Sequence, residues 1–240
     1  MKRRTARRSS SVVDDSTTRF YETHAREYFD RTVSADLSAL YDDVLKHVKP
    51  GGRILDVGCG SGRDLKIFRA RGFDAVGIDA SSALVNMARG FSGADCTVMR
   101  LENIKFSRGF DAVWACASLL HLPKRNVVSI LGRLRLSLVE GGIVYASVQV
   151  GQGEVLAPDG RFFAFYEPDE FAHCIEKAGF AIDRLWVSED SLPGRIAIRW
   201  VNVVAHRERD NRQTGTYNSN GIGARSPEKP RPMTHRLSLR

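Results

Sequence analysis

Ile54-Leu55-Asp56-Val57-Gly58-Cys59-Gly60-Ser61-Gly62 is the stretch whose reading decides the fold. Its first half is a short apolar run, the pattern of a buried strand, and it passes directly into three glycines at alternate positions. Glycine accepts positive φ and lets the backbone approach a ligand closely. A helix is expected from about Gly62 to Ala70, and the free N–H groups at its start suit an anion or an ether oxygen. The stretch therefore reads as strand, bare turn and helix, with a ligand crevice at the turn.

Three neighbouring features narrow the ligand. The spacing is G-x-G-x-G, and Arg63 stands where a dinucleotide-binding fingerprint carries its third glycine. No Gly-Lys-Ser/Thr follows, which excludes a phosphate-gripping P-loop. Asp79 closes the next apolar run, Val76-Gly77-Ile78-Asp79, 17 residues beyond Gly62. A carboxylate at that strand tip can accept hydrogen bonds from both hydroxyls of a ribose.

Outward from this centre, strands and helices alternate. Two helices, over Thr17–Val33 and Asp36–Val48, precede the first strand, Arg53–Val57. Further strands are expected at Asp74–Ile78, Thr97–Met99, Phe110–Ala115 and Ile143–Val150. Helices are expected at Ser81–Arg89, with Ser81 as N-cap, and at Arg125–Leu138. A helix from Pro168 to Ala178, stopped by Gly179, leads into two strands, Ala181–Val187 and Ile196–Ala205, joined across Pro193-Gly194 without a helix. The predicted fold is α/β: a doubly wound, mostly parallel seven-stranded sheet closed by a C-terminal antiparallel hairpin.

With these motifs the sequence resembles the class I S-adenosylmethionine-dependent methyltransferases over roughly Thr17 to Arg207. Asp56-Val57-Gly58-Cys59-Gly60-Ser61-Gly62 is similar to the first motif of that family, and Gly77-Ile78-Asp79 to the second. Leu101-Glu102 falls where the family holds the adenine edge, with Glu102 in place of the more usual Asp. Phe110-Asp111-Ala112-Val113-Trp114-Ala115 resembles the fourth-strand motif. Leu138-Val139-Glu140-Gly141-Gly142 resembles the family's Leu-x-Pro-Gly-Gly turn, with Val139-Glu140 replacing x-Pro. The resemblance implies S-adenosyl-L-methionine as cofactor, and the chemistry agrees: a cofactor without phosphate needs no Lys or Arg in its loop. The expected cofactor contacts are Tyr21, Asp56, Gly58, Cys59, Gly60, Asp79, Ala80, Leu101, Glu102, Ala115 and Ser118.

In open α/β sheets ligands bind beyond the carboxyl ends of the strands, so Cys116 to Pro123 should face the reactive methyl. His121 is the candidate general base there, with a structural role as the alternative. Asp159-Gly160-Arg161-Phe162-Phe163-Ala164-Phe165-Tyr166 occupies a lid position, and Tyr21, His24 and Tyr28 share a helical face at the front. Tyr28, Arg161, Tyr166 and Arg195 are the expected acceptor contacts.

Composition sets the outer limits. Hydrophobic residues make up 42% of the 240-residue chain and charged ones 27%, which suits one globular α/β domain. No apolar run approaches the ~18 residues of a membrane-spanning helix, and the basic start lacks the apolar core of a secretory signal. A cytoplasmic protein is expected. The net charge of +8 is concentrated at the ends: residues 1–8 and 207–240 each carry +5, leaving −2 for residues 9–206. The expected organisation is a basic disordered tail over 1–16, a methyltransferase domain over 17–206 and a second basic tail over 207–240. Cys59, Cys96, Cys116 and Cys174 are too far apart for zinc-ligand spacing, and no metal is expected.

The nearly neutral domain and aromatic lid favour a small-molecule methyl acceptor at O, N or S. Two alternatives stand beside it. The basic tails could grip RNA or a protein substrate through salt-sensitive contacts. The fold could also bind the cofactor without turnover.

Overall fold

The structure, a computed structural model, describes residues 11–192 and 198–208. Arg195, residues 1–10 of the tail expected over 1–16 and residues 209–240 of the tail expected over 207–240 lie outside the described residues.

The chain begins with α1 (Ser11–Thr23), α2 (Ala25–Thr32) and α3 (Ser38–Leu45). It then alternates through β1 (Arg53–Val57), α4 (Arg63–Ala70), β2 (Asp74–Asp79), α5 (Ser82–Ser92), β3 (Asp95–Val98), β4 (Phe110–Ala115), α6 (Lys124–Ser137) and β5 (Leu138–Gln149). A small hairpin, β6 (Glu154–Leu156) and β7 (Phe162–Ala164), precedes α7 (Pro168–Lys177), β8 (Phe180–Glu189) and β9 (Arg199–Arg207).

Seven strands form one sheet in the order β3-β2-β1-β4-β5-β9-β8. Strands β1 to β5 run parallel, while β9 is antiparallel to both β5 and β8. Both faces are covered, and side-chain alternation separates two cores. Leu55, Val57, Val113, Ala115, Val144 and Ala146 pack toward α6 and α7. Ile54, Ala112, Trp114, Ile143 and Tyr145 pack toward α3, α4 and α5. In α6, Val127, Ile130, Leu131 and Leu134 form the buried stripe that an i, i+3, i+4, i+7 spacing dictates. Ser81 caps α5 by accepting from the Leu84 N–H at 3.2 Å. Strand order reverses between β1 and β4, and that reversal opens the crevice at their carboxyl ends.

Four expectations change. The single helix expected over Thr17–Val33 starts at Ser11 and is broken at His24, whose φ of −109° and ψ of 24° leave the helical region. The His24 ring, its Nδ1 bonded to the Phe20 carbonyl at 2.9 Å, stacks on Phe20 instead of facing the crevice. The lid segment is a two-stranded hairpin, with β6 and β7 antiparallel. Arg207, assigned to the tail by sequence, ends β9 fully buried, its guanidinium donating to the Leu138 and Arg135 carbonyls.

Candidate active site

The glycine turn after β1 is held by β2. The N–H groups of Gly58 and Cys59 both donate to the Ile78 carbonyl, at 2.8 and 2.9 Å, and Gly62 N–H closes the turn on the Cys59 carbonyl at 3.0 Å. Gly58, Gly60 and Gly62 all have positive φ. A Cβ on Gly58 would lie 2.5 Å from Ser118 Cβ, and one on Gly60 would lie 3.1 Å from the Tyr28 ring. The turn thus presents bare backbone to the crevice because side chains there would fill it.

Asp79 faces this crevice. Its Oδ2 accepts from Gly60 N–H at 3.0 Å and its Oδ1 from Ser81 N–H at 2.9 Å. Each carboxylate oxygen can accept a second hydrogen bond, which leaves capacity for a diol. Burial pushes the Asp79 carboxyl up, and the N–H groups of Ser81, Gly60 and Ala80 partly offset that shift.

The resulting cleft encloses about 720 Å³, including its open mouth, and Gly58, Gly60, Asp79, Ala80, Leu101, Glu102, Ser118 and Tyr21 all line it. Met99, Leu84 and Leu122 add apolar surface suited to a base ring. Ser118 Oγ is buried without a hydrogen-bond partner among the described residues. Bare glycine backbone, a carboxylate at the next strand tip and an orphaned hydroxyl fit an adenosyl sulfonium without phosphate.

The other expected cofactor residues stand behind this surface. Asp56 is buried under the turn with Oδ2 unpaired, and burial followed by repulsion from Asp64 pushes its carboxyl well above the usual range. Cys59 turns its thiol toward Cys96 and Gly77, and Ala115 is fully buried at the end of β4.

Helix α1 roofs the cleft through Thr17, Thr18 and Tyr21. Thr17 Oγ1 accepts from Phe162 N–H at 2.9 Å, which ties the roof to β7. Glu22 holds the other side: its carboxylate accepts from Ser81 Oγ at 2.6 Å, Ser82 Oγ at 2.5 Å and Ala83 N–H at 3.2 Å, at the N-terminus of α5. The hydroxyl bonds and the helix end both favour the anion, and the Glu22 carboxyl is held below its ordinary value.

A second cavity, about 920 Å³ with its mouth, adjoins the first, and Tyr21, Tyr28, Ala117 and His121 line both. In that shared wall, His121 Nδ1 lies 2.7 Å from the Phe162 carbonyl, which can only accept. The proton is therefore on Nδ1, and Nε2 accepts from the Tyr21 hydroxyl at 2.9 Å. Burial pushes the imidazole down to about 4, so it is neutral near pH 7. Both ring nitrogens are thus engaged within the protein.

Arg161 lines the second cavity, paired with Asp159 at 2.7 Å and stacked over Phe20 and Phe163. Tyr28 lines both cavities. Tyr166 is a correction: it is fully buried and packs on Phe171, because its backbone bonds to Gln149 and Gly151 at the end of β5 and brings the ring into the core. Arg63 also reaches this cavity, its guanidinium fixed on Asp64 at 2.6 and 3.1 Å, and Asp64 accepts in addition from Tyr41 and Trp114.

Sequence reasoning missed the cavity floor. Ser147 and Gln149 on β5, with Asn202 across from Ser147 on β9, face the cavity. The signal was present as a period of two, since Val144, Ala146 and Val148 alternate with Tyr145, Ser147 and Gln149.

Residues 29–185 match a family model described as a methyltransferase domain. The tRNA U34 carboxymethyltransferase of Colwellia psychrerythraea is 30% identical over 160 residues, which cover 58% of this chain and 48% of that protein. The protein of the same description from Aeromonas salmonicida is 32% identical over 135 residues, covering 51% and 41%. The chain thus spans about half the length of the curated relatives it matches. Among solved structures, a Burkholderia thailandensis 1,6-didemethyltoxoflavin-N1-methyltransferase with bound 1,6-didemethyltoxoflavin and S-adenosylhomocysteine shares the fold, with a TM-score of 0.69 at 15% identity over 87% of this chain and 94% of that one. A Haemonchus contortus phosphoethanolamine N-methyltransferase in complex with S-adenosyl-L-methionine gives 0.63 at 14% identity, over 82% and 60%. A bare glycine turn with a carboxylate at the next strand tip, the doubly wound sheet with its antiparallel end and a family match over most of the described domain lead to one conclusion: the chain belongs to the methyltransferase-domain family.

Proposed function

We propose that the chain transfers a methyl group from S-adenosylmethionine in the first cavity to an O, N or S atom of a small molecule in the second. One observation carries this reading: the two cavities meet at a single wall made of Tyr21, Tyr28, Ala117 and His121. S-adenosylmethionine, when bound, supplies an electrophilic methyl carbon on a sulfonium.

The protein's part is placement. Gly58, Gly60 and Asp79 hold the nucleoside, while Tyr21 and Tyr28 limit how an acceptor approaches through the shared wall. Alignment of nucleophile, methyl carbon and sulfur accounts for most of the acceleration in such a transfer. Tyr21 can take a proton released by the acceptor while passing its own to His121 Nε2, with no net change in the hydroxyl.

RNA is the second reading. It is favoured by the relatives named tRNA U34 carboxymethyltransferase and by the basic residues of 1–8 and 207–240. The net charge of −2 over residues 9–206 argues for the small molecule. Mass-spectrometric detection of S-adenosylhomocysteine separates the readings when the protein is incubated with a cell extract split by size. Turnover is expected in the metabolite fraction. Turnover confined to the RNA fraction would replace the small-molecule reading, and binding without turnover in either would leave a non-catalytic role.

A further inference from the structure

The floor of the second cavity carries more information than its position. Strand β5 is central, between β4 and β9, and such strands are ordinarily apolar on both faces. Here one face changes character along its length: Ile143 and Tyr145 join the core, and Ser147 and Gln149 follow at the carboxyl end. Buried polar groups are normally paired, so their bonds can be traced one by one.

Asn202 has both N–H donors and its oxygen engaged. Its Oδ1 accepts from the Tyr145 hydroxyl at 2.8 Å, and its Nδ2 donates to Ser188 Oγ at 3.0 Å and the Trp200 carbonyl at 3.1 Å. Ser147 Oγ accepts from Ala117 N–H at 2.9 Å and turns its proton toward Cys116 Sγ at 3.8 Å. Trp200 Nε1 donates to Asp190 at 3.1 Å. The half-buried carboxamide of Gln149 is different: it makes no hydrogen bond to any described residue.

A primary carboxamide offers an acceptor and two donors in one plane. It matches a ligand edge that carries a donor and an acceptor side by side, the two-point pairing by which Gln and Asn read adenine. Trp200 stands opposite Gln149 in the β5–β9 register, and Phe163 and Tyr28 line the same cavity. Aromatic walls around a hydrogen-bonding floor suit a flat ring with a polar edge.

Resting on the reading that the second cavity holds the acceptor, we propose that this acceptor is a planar nitrogen heterocycle with a donor and an acceptor adjacent on one edge, read by the Gln149 carboxamide. Gln149 is then the residue that sets specificity, and the Tyr21–His121 wall faces the atom methylated.

The test is calorimetry on the full chain saturated with S-adenosylhomocysteine. Lumazine and xanthine serve as lactam probes, 2-aminopurine as an amino-azine probe and quinoxaline as a flat control without such an edge. At least one edged probe is expected to bind about tenfold or more tightly than quinoxaline. Gln149→Leu should erase that preference while leaving S-adenosylhomocysteine affinity and the melting temperature unchanged. Equal binding of all four probes, or a preference that survives Gln149→Leu, overturns the inference and leaves the donor assignment standing. Failure of S-adenosylhomocysteine itself to bind overturns the assignment of the first cavity, and the inference with it.

Discussion

The Tyr21 hydroxyl donates to Nε2 of His121 at 2.9 Å, joining the first helix to the turn after β4 across 100 residues of sequence. The Phe162 carbonyl fixes the other imidazole nitrogen as a donor, so the direction of the bond is determined. Both side chains line the wall between the cavities, Tyr21 as the donor of the pair and His121 as the acceptor that positions it. Tyr21→Phe and His121→Ala should therefore each lower kcat by roughly 100-fold, the lower end of the range for positioned proton-transfer groups. S-adenosylhomocysteine affinity should change by less than about threefold, since neither substitution touches the glycine turn or Asp79. Equal losses in turnover and affinity, by steady-state kinetics and calorimetry, would reduce the pair to scaffolding.

The same imidazole gives a pH signature. Its folded value, about 4, lies below the ordinary 6.5, because burial disfavours the cation. The unfolded state therefore takes up the proton first as pH falls. The contribution of His121 to stability is complete above about pH 6.5 and is lost between there and about pH 4. Melting temperatures measured across that window should fall more steeply for the wild type than for His121→Gln.

Asp79→Ala should weaken S-adenosylhomocysteine binding by about 2 kcal/mol, the scale of a charged hydrogen bond, or about 30-fold. The loss has two sources, because Asp79 also fixes Gly60 N–H and Ser81 N–H. Asp79→Asn, which keeps one acceptor oxygen, should lose less. Wild-type affinity in the alanine variant would remove Asp79 from the site.

Gly58→Ala tests the bare backbone. The residue has a φ of +71°, and a methyl group there meets Ser118 Cβ at 2.5 Å. Strain of about 1–2 kcal/mol is expected from the backbone alone. The contact adds to it, so cofactor binding should disappear while far-ultraviolet circular dichroism stays that of a folded protein. Gly141→Ala, a positive-φ glycine with open space around its Cβ, provides the control for backbone strain without obstruction.

Asp64 supports the second cavity from below. Burial would raise its carboxyl, but the guanidinium of Arg63 beside it overrides burial, and Tyr41 and Trp114 donate as well. The Asp64→Ala variant leaves the half-buried Arg63 without its counter-ion and Tyr41 and Trp114 without their acceptor, and should cost about 3 kcal/mol in urea unfolding. Asp64's stabilisation is present above its ordinary pKa and disappears as pH falls through the lowered one, so acid unfolding of the wild type should track it.

Much of this arrangement was legible in the sequence, and the unread parts share physical causes. The bounds of β1 and β4 and the Ser81 cap follow from apolar runs and a single cap residue. Strands β6 and β7 have three residues each, too few for any periodicity to register. The break at His24 contains neither glycine nor proline, so no local signal marks it. Tyr166 read as a pocket aromatic because its segment ends in four aromatic residues out of five, and only the long-range backbone pairing with the end of β5 determines that this ring turns inward. The Glu22 clasp on α5 joins residues 59 or more positions apart, a distance at which local pattern carries no information.

Helix α1 lies over the donor compartment through Thr17 and Thr18, and through Tyr21 it also forms part of the partition with its neighbour. One roof over two rooms makes their occupants interdependent. A nucleoside that steadies α1 also steadies Tyr21 in the partition, so filling the first room is expected to tighten binding in the second, and by the same factor in reverse.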